Sequence, residues 1–496
     1  MESELKKTFG HAGIYSLGII LNRIVSFVML PIYTRYLTPA DYGVLELLEI
    51  IVDVVSIVMG LGILNGLSKY YYQLKSEGER NELVSTLFAL VIVFYLMGSL
   101  MGVASSSLIS KMVFGGKQYT NLIIISFLNL FLQILFFANM SYLQTRQRSL
   151  SFIILSSLNL VMKLGLNILF VIYWRMGVLG VLYSTLISYV ILGGGMTFRT
   201  FSQVGIRFSR EKSRELVKFG YPFVLSGLCA FITTYSDRFF LNHYTNLSNV
   251  GIYSLGYKFG FLLIMFPVQP MLNIWNVQRF EMAEQEGYEQ LANKFLSWFV
   301  IVTLTVALSI SLLVKDVLQV MSAPAFWDAY KIVPIILLAY FFQACTGYIN
   351  FGIYYTGKTK HIAYGTFIAA VIVIVLNFLL IPAYGVYGAA WATLVSFAAR
   401  MVYYYAASQR LYRIDYKLEK PACVLLLAIT VQLLYLGGKE WIPALNKAYL
   451  SHSFIFLMLG FFVFLLFSTK IITTEERAEI FHIMRSPSRI ISQFKN

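Results

Sequence analysis

Charge is scarce in this chain: of 496 residues only 13% are Asp, Glu, Lys or Arg, while 58% are hydrophobic, and the mean hydropathy is +0.70. That balance excludes a soluble globular domain and indicates a polytopic membrane protein. Cysteine is scarcer still. Cys229, Cys345 and Cys423 all fall inside apolar runs, which argues against an extracytoplasmic disulfide framework and assigns the thiols to packing. A nucleotide-binding loop, a metal-ligand spacing and a nucleophile constellation are also missing. The run Gly193-Gly194-Gly195 lacks the strand-to-helix context of a phosphate loop and reads as close helix packing or a bend. ATP is therefore not an expected energy source, and no cofactor is expected beyond a coupling ion. No cleavable signal is expected either, because Met1 to Phe9 is short and charged and the apolar run from Gly10 is long enough to span. Acidic residues number 24 against 39 basic, a net charge of +15. In a soluble chain that excess would point to nucleic acid; here it has another origin.

Apolar segments of spanning length fall near 10–36, 42–67, 83–105, 120–143, 150–174, 177–198, 216–240, 250–275, 292–314, 331–356, 361–382, 386–408, 421–437 and 450–469. The sequence thus predicts an all-α integral membrane protein with about 14 transmembrane helices. If the N-terminus is cytoplasmic, 27 of the 39 basic residues fall in inside segments and 9 in outside ones, with three inside spans. The positive-inside rule then places both termini in the cytoplasm, and the basic balance reports topology and anionic inner-leaflet lipid rather than nucleic acid.

An internal repeat organises the spans. Gly177-Val178-Leu179-Gly180 and Thr185-Leu186-Ile187-Ser188 recur 208 residues later as Gly385-Val386-Tyr387-Gly388 and Thr393-Leu394-Val395-Ser396, and Gly43-Val44 recurs as Gly251-Ile252. A repeat containing six spans gives parallel copies related by an axis along the membrane normal. The expected architecture is two parallel six-helix repeats forming two lobes around a central cavity, plus two C-terminal helices. The lobes are expected over 1–198 and 219–410, joined by a basic cytoplasmic linker, 199–218, that reads as an amphipathic surface helix. The two added helices occupy 411–470, and 471–496 is a basic cytoplasmic tail.

Polar residues inside the spans mark the expected site. Glu46, Glu49 and Asp53 follow one another at spacings of three and four, which puts three carboxylates on one narrow helix face. Such a face must border protein or a watery cavity, because a charge near the bilayer centre costs roughly 2.5–3.5 kcal/mol. Arg23 lies near the middle of the first span, Lys258 lies in the eighth, and Lys163 sits on a polar stripe with Ser156, Asn159 and Asn167. For each cation taken singly, a structural ion pair or a snorkelling head group is the alternative reading. Asn129, Gln133, Asn139, Gln343 and Asn350 read as interhelical hydrogen bonding. Pro31, Pro222, Pro267, Pro270 and Pro334 read as kinks within or near spans.

The run Leu30-Pro31-Ile32-Tyr33-Thr34-Arg35-Tyr36-Leu37-Thr38-Pro39-Ala40-Asp41-Tyr42-Gly43 resembles the signature with which polysaccharide flippases of the multidrug, oligosaccharidyl-lipid and polysaccharide exporter superfamily open their first hairpin. Asp237-Arg238-Phe239-Phe240-Leu241, followed by Val250-Gly251-Ile252-Tyr253, is a second match. The resemblance implies a flippase, not an enzyme. It would carry a lipid-linked oligosaccharide from the cytoplasmic to the outer leaflet of a bacterial plasma membrane, by ion-coupled alternating access. Membrane lipid, a polysaccharide polymerase and a chain-length regulator are the implied partners, with no nucleic acid. On this view Arg23, Lys163 and Lys258 bind the diphosphate, and Lys258 also trades with a carboxylate of the second span. In some members an Asp of the seventh helix, an Asn of the eleventh and a Thr of the twelfth hold sodium, and Asp237, Asn377 and Thr393 are similar in type and placement. Ile381 departs from that pattern, because it stands where a second acid would strengthen a hard-cation site. Proton coupling through Glu46, Glu49 and Asp53 is the competing reading. A multidrug exporter or cell-wall lipid precursor flippase of the same superfamily is the alternative. A membrane polymerase or ligase is a third, disfavoured by short outside connections that carry no paired carboxylates or histidines.

Overall fold

The computed structural model describes residues 29–60, 62–442 and 448–469. Among them no strand occurs, and twelve helices are long and apolar enough to cross a membrane. Helix is what hydrocarbon requires, since it satisfies each backbone N–H and C=O within its own segment. Polar caps mark where helices leave the apolar region. The Ser76 hydroxyl accepts from the Glu79 amide at the start of Glu77–Ala104, and Ser209 accepts from Lys212 at the start of Arg210–Tyr244.

The count of fourteen is not reached among the described residues, for two reasons. The expected span 10–36 lies largely outside them. The expected spans 361–382 and 386–408 appear as one 52-residue helix, Lys360–Leu411, bent at Gly385, whose φ is 53°. Its repeat counterpart Gly177 has φ 57° and opens the helix Gly177–Tyr189. Both positions use the left-handed region that glycine tolerates. The 421–437 segment is longer than expected, running Glu419–Trp441.

The linker differs from expectation. The Gly195–Val204 helix ends at Gly205, φ 74°, and the expected surface helix is instead the first turns of the 35-residue helix Arg210–Tyr244. Basic residues start that helix while apolar ones continue it, so no break separates linker from span. The expected tail, 471–496, lies outside the described residues.

Two compact units divide the chain. The first is Met1–Tyr257, Leu318–Ile332 and Ile362–Arg400; the second is Lys258–Val317, Val333–His361 and Met401–Asn496. This partition differs from lobes over 1–198 and 219–410. Hydrogen bonds donated by Thr393 to Asp237 and by Asn377 to Ser236 tie Ile362–Arg400 into the first unit.

The core of the first unit packs Leu45, Leu48, Leu67, Leu87, Phe88 and Phe127. Asparagines join its helices: Asn139 donates to Thr197 Oγ1 at 2.8 Å and accepts from Thr200 at 2.7 Å. Gly193 allows close packing, since a Cβ there would lie 2.8 Å from the Leu132 carbonyl oxygen. In the second unit Trp275 stacks on Phe295 and Tyr348, and the buried Arg279, close to the Phe280, Phe351 and Tyr354 rings, donates from Nη1 to Asn350 Oδ1 at 2.8 Å. Pro31 and Pro270 stand in first helical turns, whereas Pro222 and Pro267 lie inside helices.

Candidate functional site

Three polar groups in the first unit are built on apolar helices. The first is the acidic face of Pro39–Gly60. From Tyr42 to Val52 every residue is buried except Glu46 and Glu49. Glu46 is half-buried, while Glu49 and Asp53 are exposed. Exposure of carboxylates within a span means contact with water, because lipid would not solvate them. Tyr235 of the Arg210–Tyr244 helix presents its ring 5.5 Å from the Arg238 guanidinium carbon.

The second group is the stripe on Ser149–Asn167. Ser156, Asn159 and Asn167 are buried and Lys163 is half-buried. Asn159 accepts from Ser188 at 2.9 Å, and Lys163 Nζ donates to the Tyr189 hydroxyl at 2.9 Å while lying 4.1 Å from the centre of that ring. One turn on, Asn167 donates to the Lys163 carbonyl, and its Oδ1 accepts from Tyr33 of the hairpin signature at 3.5 Å. The stripe thus fastens three helices and holds one ammonium in a partly accessible place. Two turns of polar contacts fix where that ammonium sits.

The third group surrounds Asp237, which is 2% exposed. Its Oδ1 accepts from Arg238 Nη1 at 2.6 Å, and its Oδ2 accepts from the Tyr253 hydroxyl at 2.6 Å and from Thr393 at 3.4 Å. Arg238, also 2% exposed, lies 3.9 Å above the Tyr257 ring and donates to the Thr234 carbonyl at 2.7 Å. Asn377 is fully buried; its Nδ2 donates to Ser236 at 3.3 Å, and its Oδ1 has no hydrogen-bond partner among the described residues. The structure therefore brings Asp237 and Thr393 together, with Asn377 beside Ser236 of the same helix.

The donor set does not suit sodium. Both carboxylate oxygens of Asp237 already accept short hydrogen bonds, one of them from a permanent cation. Coulomb repulsion between that guanidinium and a second cation about 4 Å away is roughly 4 kcal/mol at an effective dielectric of 20. Ile381, at the place for a second acid, is fully buried and apolar.

Lys258 is half-buried and belongs to the second unit. Arg23 lies outside the described residues. Arg238, one of the nine cations assigned by sequence to outside segments, lies buried within the Arg210–Tyr244 helix. The aspartate before it in the second signature was the available clue, together with Tyr253 sixteen residues after Asp237. Arg279, one of the 27 cations assigned by sequence to inside segments, is buried under aromatic rings, and nothing in its local sequence marks it. A cavity of about 500 Å³ also opens in the first unit, lined by Phe114, Phe239, Asn242 and His243.

The comparisons agree with this geometry at the level of fold. An inward closed structure of the lipid II flippase MurJ is similar at 13% identity, with a TM-score of 0.70, covering 92% of this chain and 99% of that one. An inward-facing multidrug resistance MATE family transporter of the MOP superfamily is similar at 15% identity and a TM-score of 0.63, covering 78% and 94%. A MOP superfamily transporter from Pyrococcus furiosus, described by the reverse polarity of its binding pocket, is similar at 13% identity and a TM-score of 0.57, covering 81% and 95%. No curated protein matches the sequence. The family model described as polysaccharide biosynthesis protein matches residues 10–271, more than half of the chain, and the chain belongs to that family.

Proposed function

We propose that this protein is a flippase that moves a polyprenyl diphosphate-linked oligosaccharide from the cytoplasmic to the outer leaflet for surface polysaccharide synthesis. The observation that carries the reading is a chain of the polysaccharide biosynthesis family folded like transporters rather than like a glycan-processing enzyme. A double anion cannot cross roughly 30 Å of hydrocarbon bare, so its carrier needs polar groups within the spans. Lys163, set among hydrogen-bonded polar residues, supplies one cation. Arg23 and Lys258 are the further diphosphate ligands on this reading. Arg23 would act through its two-pronged guanidinium and Lys163 as a point charge. Lys258 would trade between substrate and a carboxylate. Binding has to stay modest, because a site that held the head group tightly would not release it.

Ion-coupled alternating access drives the movement, with both termini cytoplasmic in the bacterial plasma membrane. The half-buried Glu46 and the exposed Glu49 and Asp53 are the proton-carrying face. A polymerase and a chain-length regulator are expected to receive the product. The experiment is reconstitution in liposomes with a fluorescent polyprenyl diphosphate sugar, reading how much label becomes accessible to a membrane-impermeant quencher. No difference from protein-free liposomes would sink the reading. Likeness to a MATE transporter favours a multidrug exporter as the second reading. Cells lacking the gene would then lose drug tolerance and keep surface polysaccharide.

A further inference from the structure

Asp237 is an acid deep in the first unit with its charge already answered. Arg238 Nη1 and the Tyr253 hydroxyl each donate to it at 2.6 Å, one to each carboxylate oxygen. The guanidinium cannot lose its proton, so its charge is permanent. Three aromatic rings hold it in place: Tyr257 at 3.9 Å, Tyr253 at 4.9 Å and Tyr235 at 5.5 Å from the guanidinium carbon. The Thr234 carbonyl accepts from the same Nη1 at 2.7 Å. One Asp and one Arg sum to zero, and the position one turn beyond Asn377 is the buried, apolar Ile381. Nothing in the cluster is left to balance an incoming cation. Asn377 Oδ1 is a side-chain oxygen of the cluster that finds no donor among the described residues.

We propose that Arg238 is a tethered cation that takes the place of a coupling sodium ion at Asp237, so that this site is closed to sodium by the chain's own side chain. The arrangement does what a bound ion would do structurally. It joins the helices Arg210–Tyr244, Leu247–Leu263 and Lys360–Leu411 through one neutralised carboxylate, by way of Tyr253 and Thr393. It cannot do what a transported ion does, because a tethered charge does not leave. Movement driven by an ion gradient must then draw on another group. That last step rests on the transport reading above; the closure of the site to sodium does not.

The test therefore reads cation binding and not transport. Purified full-length protein in detergent is titrated with NaCl against choline chloride at constant ionic strength, following the unfolding temperature, and bound radioactive sodium is counted at equilibrium. Wild type is expected to show no sodium-specific shift and no stoichiometric sodium. Arg238→Ala leaves a buried carboxylate without its cation, and sodium should raise its unfolding temperature by roughly 2 °C or more as it fills the place. Arg238→Lys, which keeps a tethered charge, should remain indifferent to sodium. A saturable sodium-specific rise in wild type overturns the proposal whatever the variants do, and so does a folded Arg238→Ala protein that ignores sodium. Should Arg238→Ala fail to accumulate, Arg238→Gln and the wild-type sodium count decide by the same outcomes. Failure of the flipping assay with a sodium-free wild type would weigh against the flippase reading and leave this one standing.

Discussion

Gly43 and Gly251 meet backbone to backbone: a Cβ on either would lie 3.1 Å from the other's amide nitrogen. They stand 208 residues apart, at corresponding places in the repeat. The Cβ of Gly251 would also strike the Pro39 carbonyl oxygen and that of Gly43 the Leu247 carbonyl oxygen, and Pro39 and Leu247 are again 208 apart. Residue i of one copy touches residue j of the other, and j touches i, which is the signature of a two-fold relation between the copies.

The contact leaves no room for a side chain. Gly251→Val and Gly43→Val should each destabilise the protein by at least the roughly 1–3 kcal/mol of an overpacked core site, with sharply lower membrane levels by immunoblot. Gly165→Ala, where a Cβ meets nothing within 4 Å, should leave the level unchanged. Normal levels of both valine variants would show that the helices can part at this crossing without loss.

Topology has a direct check. The Arg207 amide donates to Ser85, and Lys212 Nζ donates to the Glu79 carbonyl at 3.0 Å, so 205–212 lies against the start of Glu77–Ala104. A phosphatase active only outside the cytoplasm should work when fused after Gly116 and not after Lys212. Activity after Lys212 would reverse the orientation.

Much of this architecture is legible in the sequence, and the reasons differ by feature. Spans follow from long apolar runs, and Gly177 and Gly385 were marked as equivalent by a repeat that a local reading can see. The acidic face follows from helical spacing alone, since Glu46 and Glu49 interrupt an otherwise buried run. Arg238 was hidden because it stands near a span end, where a cation ordinarily reads as a loop residue. Adjacent helix positions also point about 100° apart, so an Asp237–Arg238 pair is not suggested by periodicity. It forms because Tyr253 and Tyr257 of another helix supply the donor and the ring that turn both side chains inward. Arg279 was hidden for a similar reason: its cover, Tyr348, Phe351 and Tyr354, comes from residues some seventy positions away.

The buried pair yields a stability cycle. Asp237→Ala should cost about 3–5 kcal/mol because it strands a buried guanidinium. The double variant Asp237→Ala with Arg238→Met should recover part of that loss, giving a coupling energy well outside additivity. Tyr253→Phe, which removes one donor and keeps the ring, should cost about 1–3 kcal/mol. Thermal unfolding of the purified variants measures all three, and strict additivity in the cycle would show that the pair is not held together.

At the polar stripe, Lys163→Ala should reduce surface polysaccharide severely while the membrane level of the protein stays unchanged. Tyr189→Phe, which loses the 2.9 Å hydrogen bond but retains the ring 4.1 Å from the ammonium, should have the milder effect. Arg23→Ala should match Lys163→Ala, and Arg23→Lys should be partly tolerated. Normal export in both alanine variants would mean that these cations only neutralise acids of the protein, and the diphosphate assignment would have to be abandoned.

The last expectation concerns the driving ion. A face on which Glu49 and Asp53 are exposed, while Tyr42–Leu45, Leu47, Leu48 and Ile50–Val52 are buried, offers carboxylates to water inside a span. Carboxylates that reach water inside a span can carry protons as access alternates between the two sides, whereas the Asp237 carboxylate is held by a permanent cation. Flipping in liposomes should therefore follow an imposed pH gradient and be indifferent to replacing sodium with choline. Dissipating the gradient with an ionophore should stop it. The combined variant Glu46→Gln, Glu49→Gln, Asp53→Asn keeps the shape of the face and removes its charge, so it should fold, reach the membrane and lose the response to the gradient. If that variant still flips its substrate in step with pH, the acids of this helix are not the coupling groups. If instead wild-type flipping follows sodium, the proton assignment of these acids fails, while the closure of Asp237 is still decided by the sodium-binding count.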